Sequence, residues 1–201
     1  MIYLSIDIET TGLKACKNQL LEVGVVIEDM TRDLPVSNLP SFRAVIIEPA
    51  GEYNIGPYVM RMHQQLFEEI EAFDKTKFAD RGFFYEAETD QRVGVYCLAD
   101  KLQQCLVAWL KRHNPYTAKG KLVPAGKNFY GFDYTFLQPV LPDVRFHHRC
   151  LDPVMYYLKG TDRKPPDLQL CCERADLKMT DYHTAVGDAR MVIELIRRGT
   201  K

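Results

Sequence analysis

The first nine residues alternate between apolar and polar side chains, and this pattern constrains the fold more than any other. Side chains two positions apart in a β-strand point to the same side of the sheet, so the alternation predicts a strand with one apolar face. The opposite face carries Asp7 and Glu9, whose carboxylates should therefore converge. Neighbouring acids repel each other unless a cation lies between them, and a divalent ion is the simplest candidate. The alternative for this segment alone is an exposed strand with solvated acids.

Length and composition predict one globular domain over residues 1–201. With 46% hydrophobic and 26% charged residues, the chain can bury one well-packed core. No basic segment followed by a long apolar one opens the sequence, so we expect no signal peptide, no membrane span and a cytoplasmic location. The six cysteines show no Cys-x-x-Cys spacing, which favours reduced thiols over a structural zinc site.

The formal net charge of -1 argues against a protein that coats long duplex nucleic acid. Positive charge nevertheless clusters locally at residues 119–127, at residues 145–149 and at Arg163-Lys164. Such clusters could hold a few phosphates, although scattered solvated charge is the simpler interpretation of each single member.

Strand and helix patterns follow one another without repeats or linkers. Segments 20–27 and 41–47 are rich in β-branched residues and predict a meander with the first strand. Helices are predicted over about 58–73 and 98–113, whereas 74–97 lacks a clear period and is predicted to be a loop or lid. The remaining predicted elements are a short strand at 122–126, a helix at 132–140, a strand near 146–151, two short helices and a last helix at 184–198. Such an order predicts an α/β fold with a mixed sheet and helices on both faces.

Two distant segments add further candidate ligands and a candidate base. Asp133 closes the segment that begins at Asn128, and Asp188 follows His183 by five positions. Residues five apart on an ideal helix are separated by about 140° of rotation, so His183 and Asp188 could not both face one site from mid-helix. We therefore expect His183 in the loop before the helix, with Thr184 as N-cap. A histidine has an unperturbed pKa of about 6.5, which suits a general base near neutral pH. The alternative for His183 is an ordinary surface histidine.

Taken together, these segments resemble the DEDDh branch of the 3′-to-5′ exonucleases, the group that contains polymerase proofreading exonucleases, ribonuclease T and oligoribonuclease. The resemblance covers nearly the whole chain and rests on three motifs in the expected order. They read Asp7-Ile8-Glu9-Thr10-Thr11-Gly12, Asn128 to Asp133 with Phe136-Leu137 behind it, and His183-x-Ala185-x-x-Asp188. The tyrosine branch is disfavoured, because its tyrosine would stand where this chain has Thr184. Asn128 precedes Asp133 by one position more than in proofreading subunits, which keeps the substrate class open.

The resemblance implies a ribonuclease H-like α/β fold with a mixed five-stranded sheet and helices on both faces. It implies two Mg²⁺ or Mn²⁺ ions held by Asp7, Glu9, Asp133 and Asp188, and His183 as the base that deprotonates the attacking water. The implied reaction is hydrolysis of phosphodiester bonds from the 3′ end of single-stranded DNA or RNA, releasing nucleoside 5′-monophosphates.

Substrate residues follow from the same resemblance. The terminal nucleotide is expected at the turn Thr10-Thr11-Gly12-Leu13, and the same pocket is expected to include Met62, His63, Asn128 and Phe129. For a single aromatic or methionine side chain, core packing is the competing interpretation. The expected partner is a nucleic-acid 3′ end and not a membrane, with a homodimer or a polymerase or repair partner left open.

Two other functional classes remain compatible with the sequence. One is a nucleic-acid or partner-binding module of the same fold without chemistry, which the intact acids disfavour. The other is a metal-dependent endonuclease on the same scaffold, which product length would distinguish. No feature separates DNA from RNA, since none can be tied to the ribose 2′-hydroxyl.

Overall fold

A computed structural model of the chain describes residues 1–89, 91–178 and 184–200. Within these residues one sheet has six strands: β1 (Ile2–Thr10), β2 (Leu20–Asp29), β3 (Ser41–Ile46), β4 (Phe83–Glu88), β5 (Arg92–Cys97) and β6 (Pro124–Ala125). Their order across the sheet is β4-β5-β3-β2-β1-β6. The β1–β2–β3 pairs are antiparallel, whereas β5 is parallel to β3 and β6 is parallel to β1. The mixed α/β sheet predicted from the sequence is therefore confirmed.

Seven α-helices accompany the sheet in the described residues, and they cover both of its faces. They are α1 (Pro57–Met62), α2 (Gln64–Ala72), α3 (Leu102–His113), α4 (Asp133–Val140), α5 (Val154–Tyr157), α6 (Leu168–Arg174) and α7 (Ala185–Gly199). On one face α3 packs through Trp109, whose ring lies 5.6 Å from that of Phe42 in β3. On the other face α2 and α7 cover the side of the sheet that carries the acids of β1. None of these helices has the length and apolar character that crossing a bilayer requires.

The prediction of a loop or lid over residues 74–97 is wrong, and so is the five-strand count. Strands β4 and β5 form a hairpin here, and β5 adds to the free edge of β3. The sequence does not reveal the hairpin, because β4 is an edge strand. Its exposed Glu86 and Glu88 weaken the alternation of apolar and polar residues. Pairing with β3 also joins residues about 50 positions apart, which no local pattern reveals.

Three element boundaries also differ from prediction. The helix expected over 58–73 breaks at His63, which has non-helical backbone angles and separates α1 from α2. The strand expected at 122–126 shortens to β6. The strand expected near 146–151 is reduced to single bridges at Phe146 and Leu151, which still place this segment parallel to β6.

Gly24 in the centre of β2 allows α7 to approach the sheet closely. A Cβ atom at this position would lie 2.2 Å from the carbonyl carbon of Ala185 and 2.4 Å from its oxygen. Because both obstacles are backbone atoms, no side-chain rotation could relieve the collision. The first turn of α7 can therefore rest on the sheet only where a strand residue has no side chain.

We expect Gly24→Ala to lower the free energy of unfolding by about 1–3 kcal/mol, as overpacking does in other cores. Gly94→Ala in β5 is the matched control, since its nearest heavy atom would lie 3.8 Å away. The control should be neutral or stabilising by up to about 1 kcal/mol, because alanine restricts the unfolded chain more than glycine. Urea denaturation of the two variants checks this, and equal effects would contradict the close approach of α7.

Candidate metal centre

One strand and one helix bring three carboxylates together on the α2/α7 face of the sheet. Asp7 and Glu9 lie at the C-terminal end of β1, opposite Gly24 and Glu22 of β2. Asp188 comes from the first turn of α7. One carboxylate oxygen from each of Asp7, Glu9 and Asp188 lies within 4.8 Å of the other two. The convergence predicted from the alternation of β1 therefore extends to a residue about 180 positions away.

The start of α7 is held in place by two hydrogen bonds. The Thr184 hydroxyl accepts from the backbone N–H of Gly187 at 3.1 Å, so the predicted N-cap is confirmed. The Glu22 carboxylate accepts from the backbone N–H of Ala185 at 2.8 Å. An acid at the positive end of a helix dipole is favourable, and here it anchors the turn that carries Asp188.

Asp133 lies beside the three converging acids, but it is not part of the group whose oxygens lie within 4.8 Å of one another. It is the first residue of α4 and only 3% exposed. The backbone N–H groups of Asp133 and Ile8 and the charge of Lys127 lower the pKa of its carboxyl and partly offset the effect of burial. Among the neighbouring charges, that of Asp133 contributes most to the raised pKa of Asp7. The structure thus places the fourth predicted ligand next to the cluster.

Burial raises the pKa values of these four acids, and the charges of neighbouring acids raise those of Asp7, Glu9 and Asp188 further. Burial raises the pKa of Asp7 well above its usual range, and the charges of Asp133, Glu9 and Asp188 raise it further. Burial, with the charges of Asp188 and Glu22, raises the pKa of Glu9 to about 9. The pKa values of Asp133 and Asp188 rise to about 7, again mainly through burial. A positive charge placed among the four carboxylates would relieve this repulsion.

The donor set fits a hard divalent cation. Carboxylate oxygens are the ligands that Mg²⁺ and Mn²⁺ prefer. The Oδ1 atom of Asp188 is buried without a hydrogen-bond partner among the described residues. A buried oxygen is rarely left unsatisfied, and a cation between Asp7, Glu9 and Asp188 would satisfy it.

His63 contacts the cluster from the junction of α1 and α2. Its Nε2 atom lies 3.4 Å from Glu9 Oε2, and the residue is 3% exposed. The resemblance predicts that His63 binds substrate, and the structure places it against one of the acids. Met62 beside it is half-buried, and both residues line a cavity of about 490 Å³.

The turn after β1 is braced by its own hydroxyl groups. Thr10 Oγ1 donates to the Gly12 carbonyl at 2.7 Å, and Thr11 Oγ1 accepts from the Gln19 N–H at 2.9 Å. Leu13 at the tip is 83% exposed. The contact of Leu13 with a terminal nucleotide stays a prediction.

The substrate role predicted for the ring of Phe129 is not supported. Phe129 is 1% exposed and packs against Tyr130, Tyr134 and Phe146, so its faces are already covered. Core packing, the competing interpretation, accounts for this residue. Asn128 is exposed with a left-handed backbone (φ +58°), and its N–H donates to Asp152 Oδ2 at 3.0 Å. The predicted base His183 lies outside the described residues.

Sequence reasoning missed a group of charged residues behind the acids, which we call the Arg43 network. Arg43 of β3 donates through Nε to Glu22, and its two Nη atoms donate to the carboxylate oxygens of Glu69 in α2 at 2.7 Å. Glu69 also accepts from the Tyr96 hydroxyl at 2.8 Å. A charged residue inside the apolar run Leu20-Leu21-Glu22-Val23 was the available signal, because a buried acid requires a partner. The Arg43 network connects α2, β3 and β2 to the N-terminus of α7.

We expect the metal-free protein to lose stability as the pH rises from about 5 to about 9. The pKa values of Glu9, Asp133 and Asp188 are higher in the folded than in the unfolded state, so the folded state binds more protons. Deprotonation then favours unfolding over this range. Mg²⁺ or Mn²⁺ at about 100 times its Kd should raise the Tm at pH 8 by about 5–10 °C. Thermal denaturation at several pH values, with and without the ion, tests both signs, and a Tm insensitive to the ion would contradict the site.

Comparison with known proteins found no matching family model and no matching curated protein. One matching solved structure is that of S. pombe Pop2p in its Mg²⁺- and Mn²⁺-bound form. The fold is similar to that of Pop2p. The TM-score is 0.60 at 11% sequence identity, and the match covers 96% of this chain and 81% of the Pop2p chain. This likeness confirms the ribonuclease H-like α/β architecture, and at such low identity it concerns the fold alone.

Proposed function

We propose that the protein is a divalent-metal-dependent 3′-to-5′ exonuclease of the DEDDh type, acting on single-stranded DNA or RNA and releasing nucleoside 5′-monophosphates. The observation that carries the proposal is the convergence of Asp7, Glu9 and Asp188 within 4.8 Å, with Asp133 beside them. The likeness to Pop2p, whose solved structure contains Mg²⁺ and Mn²⁺, supports it at the level of the fold. The proposal therefore rests on an acidic site within a known type of scaffold.

Each residue has a proposed role in this reaction. Asp7, Glu9 and Asp188 would hold a pair of Mg²⁺ or Mn²⁺ ions together with Asp133. When bound, such ions lower the pKa of water and stabilise negative charge on the phosphate and the leaving oxygen. His183 would accept the proton of the attacking water. The turn from Thr10 to Leu13 would orient the 3′-terminal nucleotide, with His63 positioning Glu9.

Digestion of end-labelled oligonucleotides tests the proposal. Matched single-stranded DNA, single-stranded RNA and duplex substrates, labelled at either end, would be incubated with Mg²⁺, with Mn²⁺ or with EDTA. We expect mononucleotides from the 3′ end only when the ion is present. Internal fragments would indicate an endonuclease, and binding without cleavage would indicate a module that has lost its chemistry.

A further inference from the structure

Positive charge is concentrated in two stretches of the chain. Residues 102–132 contain five lysines and arginines and no acid, and residues 144–151 contain Arg145, Arg149 and two histidines, again without an acid. The whole chain has a formal net charge of -1, so this excess is local. Its meaning depends on whether the fold brings the two stretches together.

The fold places the two stretches side by side at the edge of the sheet beyond β6. Leu122 bridges Phe146 in parallel, the Leu122 N–H donates to the Arg145 carbonyl at 2.9 Å, and the His147 N–H donates to the Leu122 carbonyl at 2.7 Å. This register sets Lys121 beside Arg145. We call the resulting surface the basic strip; its members are Lys119, Lys121, Lys127, Arg145, His148 and Arg149.

The cations of the basic strip have no anionic partner among the described residues. Lys121 is half-buried and the other five members are exposed, and none of the six takes part in an ion pair within the described residues. By contrast, Arg43, Arg174 and Arg197 each bind a carboxylate. The pKa of His148 is lowered, mainly by His147 and also by Arg149 and Lys121. The strip therefore repels itself, and an anion bound there would relieve the repulsion.

The strip leads to the acidic cluster. β6 runs parallel to β1, so the C-terminal end of β6 points toward the end of the sheet at which Glu9 lies. Lys127 follows Gly126, where a Cβ atom would lie 2.9 Å from the carbonyl oxygen of Ile6, the residue before Asp7. One end of the strip is thus close to the strand that carries Asp7, and the other end reaches Arg145 and Lys119.

We propose that the basic strip binds the phosphodiester backbone of a single-stranded nucleic acid upstream of the 3′ end that lies at the acidic cluster. The proposal rests on the proposed function and adds a preference for substrates longer than a few nucleotides. The five lysines and arginines of the strip match the backbone of one flexible strand, because a positively charged groove that tracks the backbone is how proteins bind single strands. Base identity would matter little, since contacts to phosphate carry no sequence information.

The test compares two triple variants with the same change in net charge. Lys121→Gln/Arg145→Gln/Arg149→Gln removes three members of the strip. Arg163→Gln/Lys164→Gln/Lys178→Gln is the matched control, because these exposed cations lie in other parts of the chain. Each protein is assayed for kcat/KM on a trinucleotide and on a single strand of about 20 nucleotides at several salt concentrations. Binding of the longer strand is measured separately by fluorescence anisotropy in EDTA.

The strip variant should lose about 10-fold in kcat/KM on the long strand and less than about 2-fold on the trinucleotide. The slope of log Kd against log salt concentration should fall by about 2, because each phosphate that the protein no longer neutralises lowers it by about 0.7. The control should behave like the unmodified protein. Equal losses on both substrates, equal losses in the control, or no change in binding would overturn the proposal. Strip-dependent binding by an unmodified protein that cleaves nothing would uphold the strip and refute the proposed catalysis.

Discussion

Replacing Asp7 with asparagine is expected to abolish divalent-ion-dependent cleavage and, at the same time, to stabilise the metal-free protein. Asp7 lies among four other acids, and its pKa is raised by burial and by the charges of Asp133, Glu9, Asp188 and Glu22. Asparagine keeps the shape and removes the repulsion, so the Tm in EDTA at pH 8 should rise. The same change removes a ligand oxygen with full negative charge. A variant that is more stable and inactive is the signature of a metal ligand.

The expected loss of activity for Asp7→Asn is more than about 10⁴-fold, because losing one general base costs about 10²–10⁴-fold and the loss of a ligand dismantles the site. His183→Ala should therefore be the less damaging variant. Asp100→Asn, whose carboxylate is 67% exposed, is the control and should change neither activity nor Tm. Single-turnover cleavage of a 3′-labelled oligonucleotide and thermal denaturation in EDTA measure both effects. Wild-type cleavage by Asp7→Asn would refute the metal centre.

Replacing Arg43 with alanine is expected to have the largest effect on stability. The Glu22 side chain is 2% exposed and would lose its cationic partner, and Glu69 would lose two hydrogen bonds. Removing one partner of a buried ion pair costs about 3–5 kcal/mol, because the other charge stays buried. We also expect cleavage to fall by about 10–100-fold, the usual effect of losing a group that orients metal ligands. The reason is that Glu22 anchors Ala185, three residues before Asp188.

A double variant distinguishes the contribution of charge to stability from that of packing in the Arg43 network. Glu22→Gln/Arg43→Met removes both charges, so it should recover much of the free energy of unfolding that Arg43→Ala loses. Lys101→Ala is the control for an exposed pair with Asp100 and should change stability by less than about 1 kcal/mol. Urea denaturation gives the stabilities, and Mn²⁺ titration followed by electron paramagnetic resonance gives the ion affinity. If Arg43→Ala unfolded at the same urea concentration as the control, Glu22 would not depend on Arg43.

Those parts of the fold that follow from short-range periodicity were predictable. Alternation over residues 1–9 is enough to place Asp7 and Glu9 on one face, because side-chain direction in a strand depends only on position. The N-cap at Thr184 was equally local, since it depends on hydrogen bonds within one turn. The β4–β5 hairpin was not predictable in this way, because its place in the sheet depends on pairing with β3.

The chain's order of residues determined which acids exist and which faces of β1 and α7 carry them. The sequence alone could not determine that α7 would pack against Gly24 or that Glu22 and Arg43 would anchor this helix. Nor could it determine that Phe129 would pack in the core rather than face a ligand. Those outcomes depend on close packing between elements as much as 160 residues apart, where backbone collisions and buried charges are decided by neighbours that no local pattern contains. The acids come from the sequence, and the distance between them comes from the packing.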